Sequence, residues 1–90
     1  MDAHQRRLRR RDPRAVQAEV LNRAAEGGAF DGILTRDPMV WPGPYGAWRE
    51  ELVKKATELV GPFLGEIAFY RTWNDGRPIV RFSIDGFDGR

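Results

Sequence analysis

The sequence predicts an α+β fold in which two helices pack on a C-terminal β-hairpin in two layers. Three observations lead to this prediction: two amphipathic stretches with helix-terminating signals, two alternating runs around a turn dipeptide, and a length of 90 residues. A chain of that length supports one hydrophobic core. We therefore expect a single α+β domain over residues 12–90, preceded by a basic N-terminal arm over residues 1–11.

The first predicted helix begins at Asp12-Pro13. Aspartate is a favoured N-cap, and proline suits the first helical position because no backbone donor is needed there. Gly27-Gly28 marks the end of the helix, with one glycine available for a left-handed cap. Apolar residues at the helical period predict the stripe that faces the core: Val16, Val20, Leu21 and Ala24.

The second predicted helix opens near Pro44 and runs to about Val60, where Gly61-Pro62 stops it. Its apolar side chains share one helix face, which predicts that they pack in the core. These side chains are Trp48, Leu52, Val53, Ala56, Leu59 and Val60.

Residues 29–46 are the least regular part of the sequence, because Pro38, Pro42 and Pro44 interrupt any continuous element. The runs 33–35 and 39–41 are each either a short strand or a set of core side chains. We therefore treat residues 33–41 as a candidate third strand.

The C-terminal third predicts a β-hairpin with Asp75-Gly76 as a two-residue type I′ turn. This register sets Phe69 opposite Phe82 and places nearly all large apolar groups on one face, whereas a three-residue loop would mix the two faces. Two strands alone are marginally stable in water, so the apolar face is expected to pack on the helices.

The other hairpin face is partly polar, and the register places Tyr70 directly opposite Arg81 on it. An aromatic side chain among arginines can hold single-stranded RNA by stacking. The simpler interpretation is a cross-strand cation–π pair. The same two residues are also candidates for a protein interface.

The residue inventory argues against catalysis. The sequence has no cysteine, one histidine (His4, in the arm) and one serine (Ser83, in a predicted strand), so no nucleophile–base pair can be named. Asp85 and Asp88 could approach Asp31 or Asp37 as oxygen ligands for a metal. The favoured interpretation is that the Asp-Gly pairs mark turns. We expect no catalytic, cofactor or metal site.

The arm is the strongest candidate for binding a polyanion. Residues 1–23 carry seven arginines against three acidic residues, a net charge of +4, whereas the other 67 residues carry a net charge of −2. Guanidinium groups bind phosphate in a bidentate manner without an ordered scaffold. Alternatively, the arm is a solvated tail or docks on an acidic protein face. The candidate nucleic-acid residues are Arg6, Arg7, Arg9, Arg10, Arg11 and Arg14.

A second aromatic group surrounds the Pro/Gly-rich loop before the second helix. Trp41 and Tyr45 either seat that helix or anchor a protein interface, since tryptophan and tyrosine are enriched at interface hot spots. Trp48 is expected in the core. Candidate protein-interface residues are therefore Trp41, Tyr45, Tyr70 and Arg81.

These observations predict a small non-catalytic binding protein that acts by protein–protein contact, as an accessory subunit of a larger assembly or as a small inhibitor. The alternative function is nucleic-acid binding through the arm.

The excess of arginine over lysine, 13 to 2, indicates a prokaryotic or phage genome. We expect no membrane span, because no apolar run approaches about 18 residues, and a cytoplasmic location, or a virion if the protein is phage-encoded. The sequence leaves the oligomeric state open.

Overall fold

Helices packed against a two-stranded antiparallel hairpin confirm the predicted α+β fold. The computed structural model describes residues 11–34 and 47–89, with backbone alone at 47 and 48. The elements in chain order are α1 (Pro13–Glu26), α2 (Asp31–Leu34), α3 (Ala47–Val60), β1 (Ile67–Asn74) and β2 (Arg77–Ile84).

The predicted ends of α1 are confirmed. The Asp12 carboxylate accepts a hydrogen bond from the backbone N–H of Arg14 at 2.8 Å, and Pro13 is the first helical residue. The helix ends at Glu26, and Gly28 has a φ of 94°. That left-handed conformation is one that glycine adopts without steric cost.

The predicted core stripe of α1 is partly wrong. Leu21 is fully buried, but Val16 and Val20 are 40% and 43% exposed. The buried side is rotated away from them and includes two polar residues, Gln17 and Asn22. Both amides bind backbone groups of other elements, and these bonds orient the helix.

The helix α3 ends at Val60 as predicted, and Gly61 follows it with a φ of 76°. Leu52 and Ala56 are fully buried, in agreement with the predicted stripe, whereas Leu59 is largely exposed. The predicted start at position 44 and the Trp48 side chain lie outside the described residues.

The predicted hairpin register is confirmed along its whole length, from Ile67 opposite Ile84 to Asn74 opposite Arg77. Asp75 and Gly76 have φ values of 51° and 80°, as a type I′ turn requires at both central positions. One face of the hairpin contributes Phe82 to the core, where its ring centroid lies 5.1 Å from that of Phe30.

Two hairpin residues depart from the face prediction. Trp73 lies on the apolar face by register but is 63% exposed, because it stands next to the turn. Ile79 lies on the partly polar face but is buried. Trp73 on β1 is therefore uncovered, although α1 and α2 reach the turn end of β2 at Arg77.

The buried core draws on α1, α2, α3 and β2, and the partly buried Ile67 and Phe69 of β1 pack against it. Its buried members are Leu21, Ala25, Phe30, Leu34, Leu52, Ala56, Val80, Phe82 and Ile84. The contacts between α1 and β2 are the most extensive between a helix and a strand among the described residues. The hairpin is thus held mainly through its second strand.

The prediction of a third strand over residues 33–41 is wrong for its first two residues. Ile33 and Leu34 belong to the four-residue helix α2, and Leu34 is buried, so this part supplies core side chains. Asp31-Gly32, interpreted as a turn from the sequence, also lies in α2. The rest of the run 33–41 lies outside the described residues, and within the described part the sheet has two strands.

Candidate functional site

Four of the candidate residues fall in the described part of the chain. Tyr70 and Arg81 lie on the hairpin, and Arg11 and Arg14 lie at the start of α1. The others lie outside the described residues; they are Trp41, Tyr45, Arg6, Arg7, Arg9 and Arg10.

Tyr70 and Arg81 are directly opposed across the hairpin, as predicted. Tyr70 is 62% exposed. Arg81 is half-buried, and its guanidinium lies 3.4 Å from the carboxylate of Glu26 at the end of α1. No cation–π contact joins Arg81 to Tyr70 in the described structure, so the aromatic ring of Tyr70 is not covered by this arginine.

Tyr70 and Trp73 line one cleft on the half of the hairpin near the turn. The cleft has a volume of about 250 Å³. Residues of α1, β1 and β2 line it: Glu26, Tyr70, Thr72, Trp73, Asn74, Ile79 and Arg81. We call this the hairpin cleft. Tyr70 is its large exposed aromatic side chain, whereas Trp73 borders the cleft from β1 with its side chain on the opposite hairpin face by register.

Trp73 was not predicted as a site residue. Its register placed it among the apolar residues that were expected to pack on the helices. No local signal in the sequence marked Trp73 as exposed, because its exposure follows from the packing of the helices mainly on β2. Arg71 stacks against the Trp73 ring, with the guanidinium carbon 5.7 Å from the ring centroid.

Arg77 fixes the hairpin to the helices beside this cleft. It donates to the Asp31 carboxylate at 2.7 Å and to the backbone carbonyl of Glu26. The second contact satisfies a carbonyl at the C-terminal end of α1, where a cation is also favoured by the helix dipole. The base of the hairpin cleft is therefore held by a charged contact that spans α1, α2 and β2.

A second cleft, of about 390 Å³, lies between α1, β2 and the segment after β2. Its charged residues are of both signs, and Arg23 pairs with Glu19 at 2.8 Å. Because its basic groups Arg23 and Arg81 already have acidic partners, this cleft presents no cluster of one charge. The lining residues are Glu19, Asn22, Arg23, Glu26, Arg81, Asp88 and Gly89.

Arg14 is the centre of a network that ties the start of α1 to the turn after β2. Its guanidinium binds the carboxylates of Asp12 at 2.6 Å and Asp85 at 2.8 Å, and it lies 4.6 Å from the centroid of the Phe87 ring. The other Asp85 oxygen accepts from the backbone N–H of Glu66 at 2.8 Å. Arg14 therefore has a structural role in the described fold.

The same network shifts the ionisation of its members. The side-chain hydrogen bond from Arg14, helped by the backbone N–H of Arg14, lowers the pKa of Asp12 from 3.8 to about 2. The hydrogen bond from Arg14, followed by that from the Glu66 backbone, lowers the pKa of Asp85. The hydrogen bonds to Asp12 and Asp85 raise the pKa of Arg14. All three groups remain charged at neutral pH.

Arg11 contacts the carboxylate of Glu19. Both described arginines of the candidate nucleic-acid set, Arg11 and Arg14, thus have acidic partners within the fold.

Among residues 11–34 and 47–89, no group of three or more His, Cys, Asp or Glu side chains could hold a metal ion. Asp85, a candidate oxygen ligand, instead binds Arg14 and the Glu66 backbone.

Comparison with known proteins identifies no relative: no family model, no curated protein and no solved structure matches the chain. No helix in the described ranges is long and apolar enough to cross a membrane.

Proposed function

We propose that this protein is a non-catalytic binding domain that acts by protein–protein contact, through the hairpin cleft. The observation that carries this proposal is the exposure of two large aromatic side chains at the turn end of β1, Tyr70 on the face that carries the hairpin cleft and Trp73 on the opposite face. Tyrosine and tryptophan contribute large contact areas at little conformational cost, and they are enriched among the residues that dominate binding energy.

The rigidity of the cleft supports the same function. Its two strands are in full register, Arg77 joins them to α1 and α2, and buried Ile79 is one of its lining residues. A surface that is ordered before binding loses less entropy when a partner docks. An accessory subunit of a larger assembly and a small inhibitor both use such a preformed surface. Trp41 and Tyr45 remain proposed further anchors.

The test is capture of a partner from an extract of the cells that produce the protein. We expect Tyr70→Ala and Trp73→Ala each to reduce the captured partner by about tenfold or more, which corresponds to a loss of about 1.4 kcal/mol. Leu64→Ala is the matched control, because Leu64 is 56% exposed but lies outside the hairpin cleft.

Thermal melting of each variant separates loss of contact from loss of fold. Because Tyr70 and Trp73 are largely exposed, we expect melting temperatures close to that of the original protein. Equal capture by all three variants would refute the hairpin cleft as the contact surface.

Nucleic-acid binding through the arm remains the alternative function. It would be detected as retention of the protein on heparin that falls steeply as the salt concentration rises.

A further inference from the structure

The outer edge of β2 is defined by the backbone groups that point away from β1. Asn22 binds the N–H and the carbonyl of Phe82, so these two groups point outward. In an antiparallel pair, outward positions alternate with positions that bond across the ladder. The outward positions of β2 are therefore Pro78, Val80, Phe82 and Ile84. We call the backbone groups of these four residues the β2 edge.

Each of the four positions is closed to a further strand in a different way. Pro78 has no N–H to donate, and Val80 is fully buried. The N–H and the carbonyl of Ile84 are both bonded to the backbone of Phe87, at 2.9 Å. Phe82 is the one of the four whose outward groups are bound by a side chain of α1. Closure of the β2 edge at Phe82 therefore depends on a single amide.

The strand behind this edge has the composition of a segment that pairs with itself. Residues 79–84 have the sequence Ile-Val-Arg-Phe-Ser-Ile, in which four residues are β-branched or aromatic and one is charged. Short segments of high β-propensity and low charge pair with copies of themselves when their edge is exposed. Two copies of one strand can pair antiparallel around a two-fold axis, with the same contacts on both sides. The occupant that fits the β2 edge is therefore a second copy of β2.

Two buried amides hold α1, and they bind it to different parts of the fold. Asn22 bonds to β2 and to the chain after β2. Gln17 bonds to the end of α3 and to the segment that follows it. Each amide makes three hydrogen bonds to backbone groups. Loss of either amide should therefore loosen α1, but only loss of the Asn22 amide removes the partner of the outward Phe82 groups.

We propose that the Asn22 amide prevents the β2 edge from pairing with a second copy of this chain. The amide occupies the donor and the acceptor that a paired strand would use. Without it, α1 opens more easily at this point, and the Phe82 groups regain hydrogen bonds by pairing with the second copy. This inference does not depend on the hairpin cleft and so is independent of the proposed function.

The experiment compares Asn22→Ala with Gln17→Ala in the full-length protein. Sedimentation velocity measures the average mass of each variant and of the original protein over a range of protein concentrations. We expect the mass of Asn22→Ala to rise above that of the original protein, toward twice that mass, as the concentration increases. Gln17→Ala should follow the original protein. It is the matched control, because it removes the same number of backbone bonds from the same helix.

Hydrogen exchange of the Phe82 N–H locates the pairing. At low concentration of Asn22→Ala, this N–H should exchange about tenfold faster than in the original protein, because its hydrogen bond is lost. At high concentration its exchange should slow again, because the second copy then binds it. In Gln17→Ala the exchange of the same N–H should not depend on concentration.

Three results would overturn the inference. A folded Asn22→Ala whose mass equals that of the original protein at every concentration would show that the amide does not prevent pairing. Equal association of both variants would assign the effect to a loosened helix. Association without renewed protection of the Phe82 N–H would place the contact elsewhere. If circular dichroism shows that Asn22→Ala is unfolded, Asn22→Ser carries the same test, because its short hydroxyl keeps the position polar but cannot replace the amide.

Discussion

The side-chain amide of Asn22 pairs with the backbone of Phe82 in both directions. The amide nitrogen donates to the Phe82 carbonyl at 3.0 Å, and the Phe82 N–H donates to the amide oxygen at 2.7 Å. The same nitrogen donates to the Asp88 carbonyl at 3.0 Å. A residue of α1 thus supplies, at the outer edge of β2, the bonds that a further strand would supply.

Replacing this amide by an apolar group of similar size should be strongly destabilising. Asn22→Leu leaves the buried N–H and C=O of Phe82 without partners, at a cost of about 2–4 kcal/mol in the free energy of unfolding. Asn22→Asp keeps an acceptor for the N–H but sets a buried carboxylate oxygen against the carbonyls of Phe82 and Asp88, so its loss at neutral pH should be at least as large. Urea unfolding measures both, with the exposed neighbour Arg23→Gln as control. A midpoint unchanged by Asn22→Leu would contradict this account.

Gln17 has an equivalent role at the end of α3. Its amide nitrogen donates to the carbonyls of Val60 and Pro62 at 3.2 and 2.9 Å, and its oxygen accepts from the N–H of Leu64 at 2.9 Å. Gln17→Leu should therefore lower the free energy of unfolding by about 1–3 kcal/mol, although leucine favours helices. Chemical unfolding tests this, and the control is Val16→Gln, a polar change at an exposed neighbour. Greater stability of Gln17→Leu would show that the bonds are dispensable.

The Arg14 network predicts how stability depends on pH. Asp12 and Asp85 have lower pKa values in the folded protein than in the unfolded chain. Below the unfolded values, the unfolded chain binds more protons, so stability falls as pH falls. The contribution should be complete above about pH 4. For Asp12 it should be lost as the pH approaches about 2.

Arg14→Gln tests this prediction. Both carboxyls should return toward their ordinary pKa values, so the variant should be less stable at neutral pH and should lose less stability between about pH 4 and pH 2. Melting temperatures across this range give the comparison, with Lys54→Gln as an exposed control. Parallel curves for Arg14→Gln and the original protein would exclude the network as the source of the pH dependence.

Two glycines should respond in opposite directions to alanine. At Gly89, where φ is 87°, an added Cβ would lie 2.7 Å from the Cα of Glu19. Gly89→Ala should therefore destabilise the fold by at least about 1–2 kcal/mol. Gly32 lies in α2 with no atom within 4 Å of an added Cβ, so Gly32→Ala should stabilise by about 0.5–1 kcal/mol. Thermal melting distinguishes the two, and equal shifts would refute the close packing at Gly89.

The parts of the fold that depend on local chemistry could be predicted from the sequence. A two-residue turn at Asp75-Gly76 determines which residues oppose one another, and Tyr70 opposite Arg81 follows from it. Capping by Asp12 depends on its neighbours along the chain in the same way. Such features need no knowledge of distant elements.

The parts that depend on distant partners could not be predicted. The helical period places Val20 on the apolar face of α1 and Asn22 outside it. In the structure Val20 is exposed, whereas Asn22 is buried and its amide donates a hydrogen bond to the backbone carbonyl of Phe82 on β2. In the candidate site, the exposure of Trp73 depends on which strand the helices pack against, and they pack mainly on β2. The Arg14 guanidinium donates to the Asp85 carboxylate, although 71 positions separate the two residues in the sequence.

The bond between Asn22 and Phe82 spans 60 positions, which has a consequence for the order of events during biosynthesis. The first helix is synthesised before its strand partner, and a helix of 14 residues is marginal by itself in water. We expect the hairpin to form quickly from its local turn and α1 to join it afterwards. The slow step of folding would then be the closure of this long loop.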